Sequence, residues 1–232
     1  MRQAAPLFEL RRVHARERAE AAGGGARYAL GAWLANVFGD LHVNAALTLC
    51  YALVLYLATG LYAYGASDGK DDDAHGGTLS ALGDARDRSA RAWREFGWYY
   101  LLVLLCWLGA SATVQLCAAL VDSAEQCVPL FILVAYYVTF FSGFPILLSQ
   151  LPSWWHWATY PDFFRWALQG LFRNAFDGAD EVEGYGPILR LYSFDGTSKA
   201  ACAAICAGII AAVSLAQLAV LLARKFEARP HD

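Results

Sequence analysis

Few side chains in this sequence could ligate, attack or exchange protons, and their spacing limits what they can do. Cys202 and Cys206 are four residues apart, so on a helix they share a face and could supply half of a tetrahedral metal site. No His or second Cys pair stands near to complete it, which favours small buried hydrophobes over ligands. Asp68, Asp71, Asp72 and Asp73 concentrate acid in one segment, but without the alternating oxygen ligands and terminal Glu of a calcium loop. A solvated, partly disordered insertion is the expected state of that segment. His42 stands alone at the entrance of an apolar run, and His156 lies between tryptophans with no acid beside it. A membrane enzyme or redox bundle would need paired His ligands or a His/Asp/Glu cluster within its helices. Gly23-Gly24-Gly25 is followed by no Lys, and no G-x-x-x-x-G-K-[ST] occurs, so the phosphate-cradling loop of an ATP site is missing from this sequence.

The polar groups that remain sit inside apolar runs. Gln115 and Gln217 fall in such runs, where an amide more often joins helices than binds a ligand. Arg165 and Arg173 are eight residues apart on a short amphipathic segment and are expected to snorkel toward lipid headgroups. The six cysteines all lie in or beside apolar stretches, which argues against a disulfide framework.

These residues need elements to hold them, and composition says which. Hydrophobic residues make up 58% and charged residues 17%, well away from the soluble average of roughly 45–50% and 25%. A net charge of −3 with no basic stripe gives no basis for nucleic-acid binding. Four apolar runs, 41–64, 96–121, 127–151 and 200–223, are each long enough to cross a bilayer, for which about 20 residues suffice. The expected fold class is therefore an all-α membrane protein of about four transmembrane helices. Residues 1–27 are rich in Arg and Glu, lack the apolar core of a signal peptide and read as an amphipathic helix ended by the three glycines. The remaining residues, 28–232, form the membrane domain.

The third run has the most specific sequel. Phe141-Ser142-Gly143-Phe144 leads to Pro152-Ser153-Trp154-Trp155-His156-Trp157, a charge-free tryptophan cluster suited to the membrane–water boundary. Residues 163–172 then have helical spacing without the length to cross again. A crossing, a turn at the interface and a short dip back over 152–176 are expected. Four crossings put both termini on one side of the membrane. Lys and Arg divide evenly, nine in the two tails and nine in the two long loops, so the positive-inside rule leaves that side open.

Together these features resemble the membrane domain of ABC transporters of the G subfamily, including the pleiotropic-drug-resistance branch. Arg11-Arg12-Val13 with Arg16-Glu17-Arg18-Ala19 is similar to the connecting-helix motif of that family. Tyr28 and Trp33-Leu34-Ala35 resemble the start of its third membrane helix, and Tyr56 to Leu61 the end of that helix. Phe141 to Phe144, the Trp cluster, Trp166, Gly170-Leu171 and Phe176 resemble its fifth helix and re-entrant segment. The sequence departs from the pattern in having about thirty residues between its first two runs, where the family has a short loop, and Leu10 where the motif has Glu.

The resemblance implies a permease part equivalent to helices three to six, which moves lipid-like or hydrophobic substrates outward and lacks its own ATP-binding domain. Implied partners are an ABC ATP-binding domain carrying ATP and magnesium, a second transmembrane half as homo- or heterodimer, and the lipid bilayer. The termini would be cytoplasmic, and the chain itself would not be an enzyme. The alternative is a truncated, non-transporting fragment that binds or regulates a full-length partner. On this resemblance Arg16 and Glu17 would couple to the ATP-binding domain, although charges on such a helix can equally be a solvated face. Ile132, Tyr136, Thr139 and Phe140 recur at three- and four-residue spacing and share a helix face, which would line the substrate pathway or simply pack in the bundle. Phe144 and Pro145 occupy the positions of the family's apolar valve, with Phe144 the plug and Pro145 a helix breaker.

Overall fold

A computed structural model describes residues 25–58, 78–176, 186–194 and 196–223, which are all helix and connecting turns. The connecting helix, with Arg16 and Glu17, lies outside the described residues. So do the acidic segment at 68–73, the acidic stretch at 177–185, and the expected end of the first crossing beyond residue 58.

Among the described residues four helices are long and apolar enough to cross a membrane: Leu30–Ala58, Ser89–Leu120, Ala124–Phe141 and Lys199–Ala223. The first lies within α1, Gly25–Ala58. The semi-apolar lead-in and the first apolar run are one continuous helix, with no break at Gly39. A single glycine costs about 1 kcal/mol in a helix, too little to outweigh the turns on either side. One stripe of α1 is buried, at Asn44, Thr48, Ala52 and Tyr56, every fourth residue. Tyr56 packs edge-on against Phe96, and the Tyr100 hydroxyl donates to the Ala45 carbonyl at 3.1 Å, which ties α1 to α2. The opposite side presents Val43, Leu47, Val54 and Leu57.

The second crossing belongs to a much longer helix, α2, Thr78–Leu120. This corrects the expectation that residues 66–95 are one loop: from Thr78 onward they are helical. Their Ala, Leu and Arg content favours helix, and hydropathy alone does not detect a polar helical extension. α3, Ala124–Phe141, starts where Ser123 caps it by accepting the Gln126 N–H, and ends at Ser142. The expected third crossing to residue 151 is thus cut short. Residues 142–147 turn, and Leu148–Gln150 and Ser153–Thr159 form two short 3₁₀ segments.

α4, Phe163–Phe176, has fourteen residues, so it is about 21 Å long, short of the roughly 30 Å hydrocarbon core. α5 is a short helix, Gly186–Leu191, and α6, Lys199–Ala223, is the last crossing. α4 packs against both α2 and α6. The core at this junction is Phe163, Trp166, Ala167, Cys202 and Cys206, backed by Leu105 and Cys106. Close approach explains Gly109: a Cβ there would fall 2.6 Å from Cε2 of Phe163. A second cluster, Leu148, Leu189 and Phe194, fastens the turn after α3 to α5 and, through Leu168 and Phe172, to α4.

Candidate functional site

The face of α3 expected to line a pathway is divided by the structure. Ile132, Tyr136 and Phe140 are exposed, with Tyr136 and Phe140 stacked 6.3 Å apart. Thr139 sits at the edge of a cavity of about 310 Å³ between α2, α3 and the start of α4. Its hydroxyl donates to the Ala135 carbonyl at 2.8 Å, one turn back. No other described element covers the three exposed side chains, so they form an apolar, aromatic surface available to lipid, ligand or another subunit.

At the end of α3 the backbone reverses. Ser142 is fully buried; its hydroxyl donates to the Thr139 carbonyl and accepts the Phe144 N–H, closing the turn. Gly143 has φ of +86°, a left-handed conformation that a side chain would strain, and Leu148 packs over it. Phe144 therefore projects from a fixed turn. It is half exposed and lies parallel to Tyr192, 6.3 Å away, which in turn meets Phe172 and Phe194. Pro145 is exposed just after the turn. The helix has already ended at Ser142 and Gly143, so Pro145 follows the break and does not cause it.

The start of α4 holds a polar group that sequence reading overlooked. Asp162 is fully buried and caps the helix, its Oδ1 accepting the Phe164 N–H at 2.8 Å. Burial pushes its carboxyl up to about 7, against the opposing pull of the Phe164 and Arg165 N–H groups and the Arg165 guanidinium. Arg165 is tied to its own neighbourhood. It donates to the Thr159 hydroxyl at 2.6 Å, and its guanidinium lies over Trp166 and Tyr160, at 4.8 and 5.5 Å. These contacts hold the half-buried side chain folded back on the preceding turn. Burial lowers its proton affinity from the usual arginine range. Trp166 Nε1 donates to the Tyr160 carbonyl, and the Tyr137 hydroxyl donates to the Ala158 carbonyl, so the tryptophan-rich turn is held to α3 as well as to α4.

A second polar group joins three helices. Lys199, first residue of α6, donates to Glu95 of α2 at 2.7 Å and to the Asn174 side chain of α4 at 3.4 Å. The Asn174 amide donates to the Glu95 carbonyl at 3.0 Å. Both ionic side chains are mostly buried, 16% and 20% exposed. A charge pattern pairing residues more than one hundred positions apart is invisible to a linear reading. Gln217 and Gln115 are buried among the helices, and Gln169, unremarked in the sequence, donates from Nε2 to the Phe194 carbonyl at 3.3 Å.

His156 stays at the surface, its Nε2 3.1 Å from the Leu151 carbonyl, and Trp154 and Trp157 beside it are about two-thirds exposed. Cys202 and Cys206 are buried in the α4–α6 junction, and the Cys206 thiol donates weakly to the Phe163 carbonyl at 3.4 Å. Among the described residues no three His, Cys, Asp or Glu side chains gather as a metal site would require.

Residues 78–176 match the family model described as ABC-2 type transporter. The match begins at the first residue of α2 and ends at the last residue of α4, so it covers two crossings, the reversing turn and the short helix as one unit. Domains of that family are the membrane components of ABC transporters, are not themselves catalytic, and work with ATP-binding domains, generally as dimers. No curated protein matches the chain.

Proposed function

We propose that this chain is the permease portion of an ATP-driven ABC exporter, of the G-subfamily or pleiotropic-drug-resistance type, that moves lipid-like or hydrophobic molecules outward. The observation that carries the reading is the coincidence of the ABC-2 match with a complete structural unit: α2, α3, the turn at Ser142–Gly143 and α4. ATP and magnesium would be held by a partner ATP-binding domain, and the second half of the pathway by another transmembrane half. Both termini would be cytoplasmic.

The exposed face of α3 supports the substrate class. Ile132, Tyr136 and Phe140 offer flat apolar and aromatic surface, and the Tyr136 hydroxyl and Thr139 add sparse polarity. Such a lining favours amphipathic or hydrophobic molecules, because it offers no charge to offset the desolvation of an ion. Phe144 is the candidate gate: it stands just past the end of the same helix and stacks on Tyr192 of the turn that follows α5. Pro145 shares the turn without a blocking role of its own. Arg16 and Glu17 would receive the stroke of the ATP-binding domain.

Affinity capture of the tagged chain from its native membrane, with mass spectrometry and an ATPase assay, tests the proposal. Recovery of an ABC ATP-binding subunit, with vanadate-sensitive ATPase that falls on Glu17→Ala, is the expected result. Isolation of the 25.4 kDa chain alone, with no ATPase, would refute it and favour a non-transporting fragment.

A further inference from the structure

The cavity of about 310 Å³ between α2 and α3 differs from the exposed face assigned to transport, sharing only Thr139 at its edge. On α2 it is lined by Cys106, Trp107, Ala110 and Thr113. These recur at one-, three- and four-residue steps, so they form one strip about 10 Å long at 1.5 Å per residue. On α3 the facing strip runs from Phe131 through Val134 and Val138 to Thr139, about 12 Å by the same rise. Phe163 and Phe164 of α4 form its wall. The result is an elongated, partly open groove two helical turns long.

We infer that this groove is a binding site for one acyl chain of a bilayer lipid. Depth is the first argument. Residues 106–113 lie within the candidate crossing Ser89–Leu120, and 131–139 within Ala124–Phe141, so the phase beside the groove is hydrocarbon. Chemistry is the second. The lining carries no charge; its two threonine hydroxyls already donate to carbonyls one turn back, Thr113 to Gly109 and Thr139 to Ala135, each at 2.8 Å, and its other polar side-chain groups are the Trp107 indole N–H and the weakly polar Cys106 thiol. Water needs two to four polar partners and would be poorly held there, whereas a methylene chain loses nothing. Shape is the third. An apolar cavity of roughly 150 Å³ accepts a benzene ring, and this groove has about twice that volume drawn out along two helices, which suits a chain better than a compact ring system. The groove is built, because Gly109 admits the Phe163 ring that closes its wall.

The test uses the full chain reconstituted in vesicles containing a phosphatidylcholine with a diazirine midway along one acyl chain. Photolysis, digestion and mass spectrometry then locate the adducts. Adducts should concentrate on peptides carrying residues 106–113 and 131–139. Ala110→Trp, which fills the groove from α2, should reduce them at least fivefold, while labelling of the exposed Val43, Leu47 and Val54 side of α1 stays within twofold. Ala135→Phe fills the groove from α3 and should act likewise. Labelling of the groove no denser per residue than that of the α1 face, measured on the unaltered chain, overturns the inference whether or not either variant folds. So does labelling that survives both substitutions in folded protein, or its abolition by an equal mole fraction of unlabelled sterol, which would assign the groove to a ring system. None of these readouts needs ATP or a partner, so their failure is distinct from failure of the transport reading.

Discussion

Replacing Lys199 by Met tests whether the Glu95–Lys199–Asn174 cluster fixes how three helices meet. The ion pair is 2.7 Å long, with side chains 16% and 20% exposed. At an effective dielectric of about 20 the gross attraction at that distance is roughly 6 kcal/mol, most of which offsets desolvation of the two charges. Removing one partner strands the other. A fully buried stranded charge costs about 3–5 kcal/mol and an exposed pair contributes under about 1, so about 2–3 kcal/mol is expected here. Glu95→Gln should cost somewhat less, because Gln retains an acceptor for Lys199 and its backbone carbonyl still accepts from Asn174. The double variant Glu95→Gln/Lys199→Met leaves no stranded charge and should be less destabilised than the sum of the two singles, by about 1–2 kcal/mol. For a chain of this size 1 kcal/mol corresponds to roughly 2–4 °C in Tm. Thermal unfolding of the four proteins in one detergent should therefore show Lys199→Met lowered by about 5–10 °C and the double variant no lower. Singles within 1 °C of the parent, or fully additive losses, would refute the argument and leave the cluster as an incidental contact.

Gly109→Val should place its side chain into the Phe163 ring and cost about 1–3 kcal/mol by overpacking, read as a lower Tm with detergent and pH fixed. Asp162 gives a pH dependence whose sign follows from its environment. Its native carboxyl titrates near 7 and the unfolded one near 3.8, so the native state holds more protons between those values and stability falls as pH rises through that window. Melting should occur higher at pH 5 than at pH 8, and Asp162→Asn, which keeps the helix cap, should flatten that slope; an unchanged slope would mean other groups cause it. Gly143→Ala should destabilise by about 1–2 kcal/mol because of the positive φ, whereas Gly39→Ala, in open space on a helix, should leave Tm unchanged or raise it slightly. Cys202 and Cys206, buried at the α4–α6 junction, should react with a maleimide only on unfolding, which peptide mapping over time would show.

The crossings were legible because twenty-residue apolar runs have few alternatives. Lys199–Ala223 lies within one residue of its expected start and ends where expected. Phe141 to Phe144 also mark a break, although hydropathy carries the third run past it: Phe144 to Leu148 are as apolar as the helix before them, and only Ser142, Gly143 and Pro145 betray the turn. The polar extension of α2 was hidden for the opposite reason, since Arg and Asp on a helix lower hydropathy without opposing the backbone. The stripe of Asn44 and Thr48 along α1 could have been found from its four-residue period in an otherwise lipid-facing sequence. Asp162 and Glu95 could not: nothing in their neighbourhoods tells a buried acid from a solvated one until α4 and α6 have been placed around them.

The placement of α4 has a consequence for how the chain is made. Gly170 sits against Leu102, synthesised earlier, and Cys202, synthesised later; Phe163 and Gln169 likewise use Cys206 and Phe194, residues that leave the ribosome after them. When α4 is complete, then, one of its sides has a seat and the other has none. Its Gln169 amide waits for Phe194, and the Phe163 end waits for Cys206 of the last helix. Release of the nascent chain before residue 194 would leave a half-seated amphipathic helix whose Gln169 amide lacks its carbonyl partner, the kind of surface that membrane quality control can recognise. The order of translation thus makes the final helix the closing piece of the α4 junction, whereas the turn after α3 already has its packing partners once Leu189 and Phe194 have been made.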